Sequence, residues 1–146
     1  MTRQVTSPPR VGSLVVLLRY CEDKVLQRLQ PLLEEAHLTP EHWRIMALLH
    51  EQPGLGAGAI AEGAVLPSAS VTRHVDKLVE NGVVIRTHDP SDRRRVVLAL
   101  SARGQLLAGQ LLAEEREVEA IIASELGTDR LQALARDLEV VPRLLG

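Results

Sequence analysis

Apolar residues recur at three- and four-residue steps at the start of the chain: Val11, Leu14, Val15, Leu18, Cys21, Val25, Leu29 and Leu32. That spacing predicts a long amphipathic helix. Pro31 inside it predicts a kink or an interruption, because proline lacks a backbone donor and crowds the preceding turn. The stretch LTPEHWRIMALLHEQPG predicts a second helix, with Thr39 as N-cap, Pro40 at the first helical position and Pro53-Gly54 at its end. A short third helix follows over about Ala57 to Ala64, and a stronger fourth over about Ser68 to Glu80. The fourth has Val71, Val75, Leu78 and Val79 as its apolar stripe and Asn81-Gly82 as its stop.

The period then changes. Val83 to His88 and Arg95 to Leu100 are rich in β-branched residues and of strand length, and in the second Val96, Leu98 and Leu100 share one face. Ser101 caps a long helix with Leu107, Leu111, Val118 and Ile122 in register, and Gly127 breaks it. A last helix places Leu131, Leu134, Leu138, Val141 and Leu145 at alternating steps of three and four, the spacing of a helix–helix seam. The expected fold is mainly α with a small β-hairpin: four helices, the hairpin, then two helices.

Charge sharpens this picture. The total is −2, which selects no partner, but its distribution is uneven. Val65 to Arg103 holds seven Lys and Arg against four acids, whereas the chain from Gly104 onward holds eight acids against four arginines. A neutral total therefore hides a basic middle. One cysteine cannot close an intrachain disulfide, and no apolar run reaches the roughly 18 residues of a membrane span. The start, MTRQVTSPPR, lacks the apolar stretch of a signal peptide and reads as a disordered tail over residues 1–10. A cytoplasmic protein is expected.

A short helix, a tight turn, a second helix and a hairpin with a basic tip make a winged helix-turn-helix. The second helix of such a pair can enter the major groove. Its small and polar positions here, Ser68, Ala69, Ser70, Thr72, Arg73, Asp76 and Lys77, suit close approach to phosphates and base edges. The hairpin tip can press an arginine into the minor groove. Asp92, just before Arg94, is expected to brace that arginine in one rotamer.

The run SVTRHVDKLVENGVVIRTHDPSDRRRVVLALSARG, Ser70 to Gly104, resembles the signature of the MarR family of bacterial transcriptional regulators. The likeness lies in the T-R-x-x-D-x-L helix, the helix-ending Gly, the arginine of the first strand, the D-P-x-D-R-R wing tip and the L-[ST]-x-x-G entry to the next helix. LTPEHWRIMALL extends it, so that it covers most of the chain from about Val11. The resemblance implies one domain over residues 11–146, with dimerisation helices at 11–38 and 101–146 around a winged helix-turn-helix core at 39–100. It implies a homodimer on a pseudo-palindromic operator in double-stranded DNA, most simply a repressor. Ser68, Ser70, Thr72, Arg73 and Lys77 would face the major groove; Asp92, Arg93, Arg94 and Arg95 would form the wing contact, with Arg94 in the minor groove. A small anionic or phenolic effector is implied as well, with Arg86 and Thr72 as contacts and Arg19, His42 and Trp43 behind them; for Arg86 a structural ion pair is the equal alternative. The family often carries Ser or Thr then Pro where this chain has Pro67-Ser68, so the recognition helix is expected to start one residue later. With Gly58, Gly63 and Ala64, the third helix is expected to be underpacked.

Other features carry less. GLGAGA, Gly54 to Ala59, fits a dinucleotide fingerprint only formally, because a helix and Pro53 precede it rather than a strand; it reads as a flexible interhelical turn. Cys21 lies on the apolar stripe and is expected to be a buried thiol. Arg19 and Lys24 nearby keep a thiol-based redox sensor as an alternative, since some family members sense peroxide through a first-helix cysteine. Trp43 is expected in the core. The five histidines form no tight ligand motif, no nucleophile–base pair is visible, and neither a cofactor nor an enzymatic activity is expected. A winged-helix module that binds protein rather than DNA is the other alternative.

Overall fold

The structure is a computed structural model that describes Arg10 and residues 12–146. The expected tail before Arg10, and Val11, lie outside the described residues. Among these residues the chain folds as α1 (Leu14–Glu35), α2 (Pro40–Glu51), α3 (Ala57–Gly63), α4 (Ser68–Glu80), β1 (Val84–His88), β2 (Val96–Leu100), α5 (Ala102–Leu126) and α6 (Thr128–Leu145). The order expected from the sequence is the one observed.

Local chemistry explains the boundaries. Thr39 caps α2 in a reciprocal box: its hydroxyl accepts from the His42 amide, while the His42 Nδ1 accepts from the Thr39 amide at 3.0 Å. Ser101 caps α5 by accepting from the Gly104 amide at 3.0 Å. Helix α4 begins at Ser68, after Pro67, at the position expected from the Pro67-Ser68 order. Pro31 does not interrupt α1, which continues to Glu35. Both Pro31 and Gln27, whose carbonyl loses its helical donor, are exposed, so water can satisfy that carbonyl.

Three helices end in one motif. After α1 the Leu38 amide donates to Leu33 O (2.8 Å) and His37 N to Glu34 O; after α3, Leu66 N to Ala61 O (3.0 Å) and Val65 N to Glu62 O; after α4, Val83 N to Leu78 O (2.9 Å) and Gly82 N to Val79 O. These paired bonds are Schellman caps, which need a left-handed residue at the turn. Gly82 adopts that conformation without penalty at φ +71°, but His37 (+56°) and Val65 (+55°) adopt it against the clash of a Cβ. Val65, β-branched and almost wholly exposed, has least reason to be there.

The core lies between α2, α3, α4 and the inner face of the hairpin, closed by the second half of α1 and the first half of α5. Ile45, Met46 and Leu49 of α2, Ile60 of α3, Leu78 of α4 and Leu111 of α5 are fully buried, each contributing roughly 1.5–3 kcal/mol of transfer free energy. Trp43 is buried as expected. The third helix is not underpacked: Ile60, Ala61 and Ala64 are buried, and a Cβ on Gly63 would stand only 2.9 Å from a Leu48 methyl. Its small residues let it sit close to α2.

The hairpin is antiparallel, pairing Val84 with Leu100 through His88 with Val96. Val97, Leu98 and Leu100 are buried, whereas Val96, expected on the inner face, is exposed beside the loop that joins the strands. Leu55 adds a one-residue bridge to Leu98, with Gly54 N donating to Leu98 O and Leu98 N to Leu55 O, each at 2.9 Å. The segment read from the sequence as a flexible turn is therefore pinned to the wing.

Helices α1, α5 and α6 are packed less completely. The first half of α1 exposes Leu14, Val15 and Leu18, and α6 has no buried residue. Cys21, expected to be buried on this stripe, is exposed. The stripe is real, but its N-terminal half faces away from the rest of its own chain.

Candidate nucleic-acid interface

Helix α4 turns Val71, Val75 and Leu78 into the core and leaves Ser68, Ala69, Thr72, Arg73, Asp76 and Lys77 exposed on one side, with Ser70 half-buried. The Ser70 hydroxyl donates to Pro67 O at 2.8 Å, which leaves its lone pairs open. Among the described residues the Arg73 side chain has no ionic or hydrogen-bonding partner, and Lys77 has only a loose 3.8 Å pairing with exposed Glu80.

The wing tip consists of two successive turns, each opened by an aspartate. Asp92 N donates to Asp89 O at 3.2 Å and Arg95 N to Asp92 O at 3.0 Å; Asp89 N then closes the loop on Arg95 O at 2.9 Å. Each aspartate also accepts, through its carboxylate, from the amide two residues on: Asp89 from Ser91 (2.9 Å) and Asp92 from Arg94 (3.1 Å). This side-chain mimicry of a turn is a specific property of Asp and Asn. The hydroxyl and then the amide of Ser91 hold the Asp89 carboxyl below its usual range, so it stays ionised. The expected brace is thus corrected: Asp92 fixes the backbone at Arg94, not its guanidinium.

The three wing arginines are not equivalent. Arg95 folds back, its guanidinium 3.9 Å from Asp89 and close enough to Gly56 that a Cβ there would stand 3.3 Å from it. Arg93 and Arg94 are exposed, and among the described residues their side chains have no intramolecular ionic or hydrogen-bonding partner. Arg86 of β1 pairs with Asp76 of α4, tying the recognition helix to the first wing strand.

The MarR family model matches residues 38–96, from just before α2 to the start of β2. The transcriptional regulator HosA of Escherichia coli O157:H7 is 30% identical over 96 residues, covering 56% of this chain and 71% of that protein. The chain belongs to the MarR family. The homoprotocatechuate degradative operon repressor of Escherichia coli is 24% identical over 127 residues, covering 87% of this chain and 86% of that one. The solved structure of NadR in complex with 4-hydroxyphenylacetate superposes with a TM-score of 0.80 at 27% identity, covering 92% of this chain and 96% of the other.

In this MarR-family protein the residues expected around an effector do not converge. Thr72 and His42 line a cleft of about 700 Å³ between the start of α2 and α4, together with Arg73, His74 and Lys77. Arg86 is committed to Asp76. Arg19 lines a second cleft beside Thr39 and Arg44, and pairs with Glu22 at 3.4 Å. Trp43 lines a third cavity, its indole N–H donating to Glu115 at 2.8 Å. Of the cations near Cys21 in sequence, Arg19 pairs with Glu22, and the Lys24 ammonium lies 5.2 Å from the Tyr20 ring centre.

His42 and His74 meet edge to face, with ring centres 5.2 Å apart. Burial, reinforced by the neighbouring His74, holds His42 below the ordinary imidazole range. Its place in the α2 cap agrees, since Nδ1 must be unprotonated to accept from the Thr39 amide. The His42–His74 contact, the Leu55–Leu98 bridge and the Trp43–Glu115 bond were not anticipated. Each joins residues distant in sequence, and no local spacing announces them.

Proposed function

We propose that the protein is a homodimeric repressor that places its two α4 helices in successive major grooves of a pseudo-palindromic operator and is released by a small molecule. The observation that carries this reading is the wing: two arginines with no side-chain partner among the described residues, held on a hydrogen-bonded double turn beside a recognition helix with an open hydroxyl and basic face. Ser68, Ser70, Thr72, Arg73 and Lys77 contact the major groove. Arg94, with Arg93 beside it, reaches the minor groove and its phosphates. Asp92 and Arg95 shape the wing rather than touch DNA.

The apolar side chains left exposed on α1 and α6, among them Leu14, Val15, Leu134, Leu144 and Leu145, support a dimer built from the terminal helices. The two recognition helices must then sit about one helical turn of DNA apart, roughly 34 Å. A ligand that binds better to a dimer of another spacing lowers operator affinity by its differential affinity for the two forms. NadR with its phenolic acid, 4-hydroxyphenylacetate, supports an effector of aromatic character. Among the described residues no helix is long and apolar enough to cross a membrane, and a cytoplasmic location follows from the proposed work on DNA.

The test is a salt-series titration of the DNA flanking the protein's own gene beside a scrambled duplex. With about four phosphates neutralised per protomer, the slope of log K against log salt should be near −7. Equal, weak binding to both duplexes, or none at low salt, would reject sequence-specific regulation in favour of a protein-binding winged helix.

A further inference from the structure

The exposed face of α4 holds Ser68, Ala69, Thr72, Arg73, Asp76 and Lys77. Ala69, Thr72 and Arg73 stand three and four residues apart, so they are neighbours on one side of the helix, and they line the same open cleft. Each base pair shows the major groove its own pattern of donors and acceptors and, for thymine, a methyl group. What this face can read follows from what it holds. Bidentate recognition of adenine needs Asn or Gln, and α4 has neither. The cytosine amino group needs a free carboxylate, and that of Asp76 is taken by Arg86. Glu80 lies at the C-terminal end, away from the N-terminal positions that reach base edges. The Ser68 and Thr72 hydroxyls donate or accept, so they fit any base. Two selective groups remain. Among the described residues the Arg73 guanidinium has no ionic partner, and its fork matches the O6 and N7 acceptors of guanine. Ala69 offers only a methyl, and Thr72 carries a second one a turn further on.

We propose that Ala69 and the Thr72 methyl set the operator preference of this protein by packing on a thymine 5-methyl, next to a guanine held by Arg73. This rests on the reading of α4 as the helix that enters the major groove. Ala69 determines specificity because it is small and carries no polar atom in its side chain. A cytosine placed against it loses the methyl contact and finds no acceptor for its amino group. Lys77, further along the helix, is a point charge suited to the phosphates bordering the groove, and it adds affinity without selection.

The full-length protein first selects its preferred site from a library of random-sequence duplexes, so that no operator need be known beforehand. Each thymine of the selected duplex is then replaced by uracil, which removes the methyl and keeps the base pair, and each guanine by 7-deazaguanine, which removes N7. In each half-site a thymine near a sensitive guanine should respond, its loss of methyl weakening binding by about 4-fold, as expected for burying one carbon. Ala69→Gly and Thr72→Ser each delete one protein methyl and should move the thymine-to-uracil ratio toward one. That ratio is taken within each variant, so any change in helix stability cancels. Arg73→Ala should remove the response to 7-deazaguanine and keep the response to uracil. Equal binding of thymine and uracil duplexes by the unaltered protein overturns the proposal, as does a methyl preference that survives in the Ala69→Gly, Thr72→Ser double variant. Selection of no sequence at all would remove the sequence-specific regulator reading itself, and the proposal with it.

Discussion

Helix α5 enters the fold so close to the hairpin that its first turn admits no side chain at Gly104. A Cβ built there would overlap the Val83 carbonyl oxygen and stand 3.1 Å from its carbon and 3.3 Å from the Leu100 Cβ. That carbonyl also accepts from the Ser101 amide at 2.9 Å, in the cap that starts α5. Gly104→Ala must therefore push the helix back by about 1 Å or break the cap. Overpacking of this kind costs about 1–3 kcal/mol. Loss of the Ser101 bond adds about 1 kcal/mol. The better helix propensity of alanine returns about 1 kcal/mol. A net loss of about 1–3 kcal/mol remains, which at this chain length lowers Tm by about 3–10 °C. Gly109, five residues along the same helix, has nothing within 4 Å of its Cβ position, so Gly109→Ala keeps only the propensity gain of up to about 1 kcal/mol. Thermal unfolding followed by circular dichroism, at one fixed protein concentration because dimers melt with concentration dependence, compares the two. The variants should move in opposite directions. If both become more stable, the close approach of α5 to Val83 is not a constraint on the fold.

Other perturbations have equally definite outcomes. Val65→Gly relieves a β-branched residue of its left-handed turn and should stabilise the protein by about 1 kcal/mol in urea denaturation; no gain would mean the turn bears no strain. Arg94→Ala should weaken operator binding by about 1–3 kcal/mol and reduce the salt slope by about one ion, while Arg95→Ala should do so less and cost wing order instead, a contrast read from titrations at several salt concentrations. His42 binds a proton less readily folded than unfolded, so the unfolded chain holds more protons and stability rises with pH. Stability should be fully present above the ordinary imidazole value of 6.5 and fall as pH drops below it, and His42→Asn should flatten that dependence in urea midpoints measured across the range.

Much of this architecture could be read from short-range chemistry. Thr39-Pro40, Ser101 and Asn81-Gly82 mark helix ends because caps are decided within a few residues, and the hairpin shows through its change of period. Cys21 shows where that reading stops. Periodicity reveals which side of a helix is apolar, but not whether its cover comes from the same chain, and α1 leaves that side open. The wing was legible as charged but not as a structure: Asp92 looked like a partner for the Arg94 side chain and proved to be a turn former for the backbone. Thr72, His42, Arg19 and Trp43 scattered over three cavities because each was placed by likeness, one residue at a time, whereas a cavity belongs to helices that meet far apart in sequence. Gly63 and Gly104 look like weak points in helices until their neighbours, Leu48 and Val83, are known.

The Leu55–Leu98 bridge, small as it is, sets the mechanics of the molecule. It fastens the segment entering α3 to the inner wing strand, while Asp76 and Arg86 fasten α4 to the outer one. The reading head is thereby clamped on both sides and behaves as a single stiff plate. If wing and helix meet DNA as proposed, they cannot be retuned separately to suit different operators, and a change at one groove is transmitted to the other. On the proposed reading, a ligand that releases DNA acts as a wrench on the whole plate, turning it against the exposed apolar faces of α1 and α6.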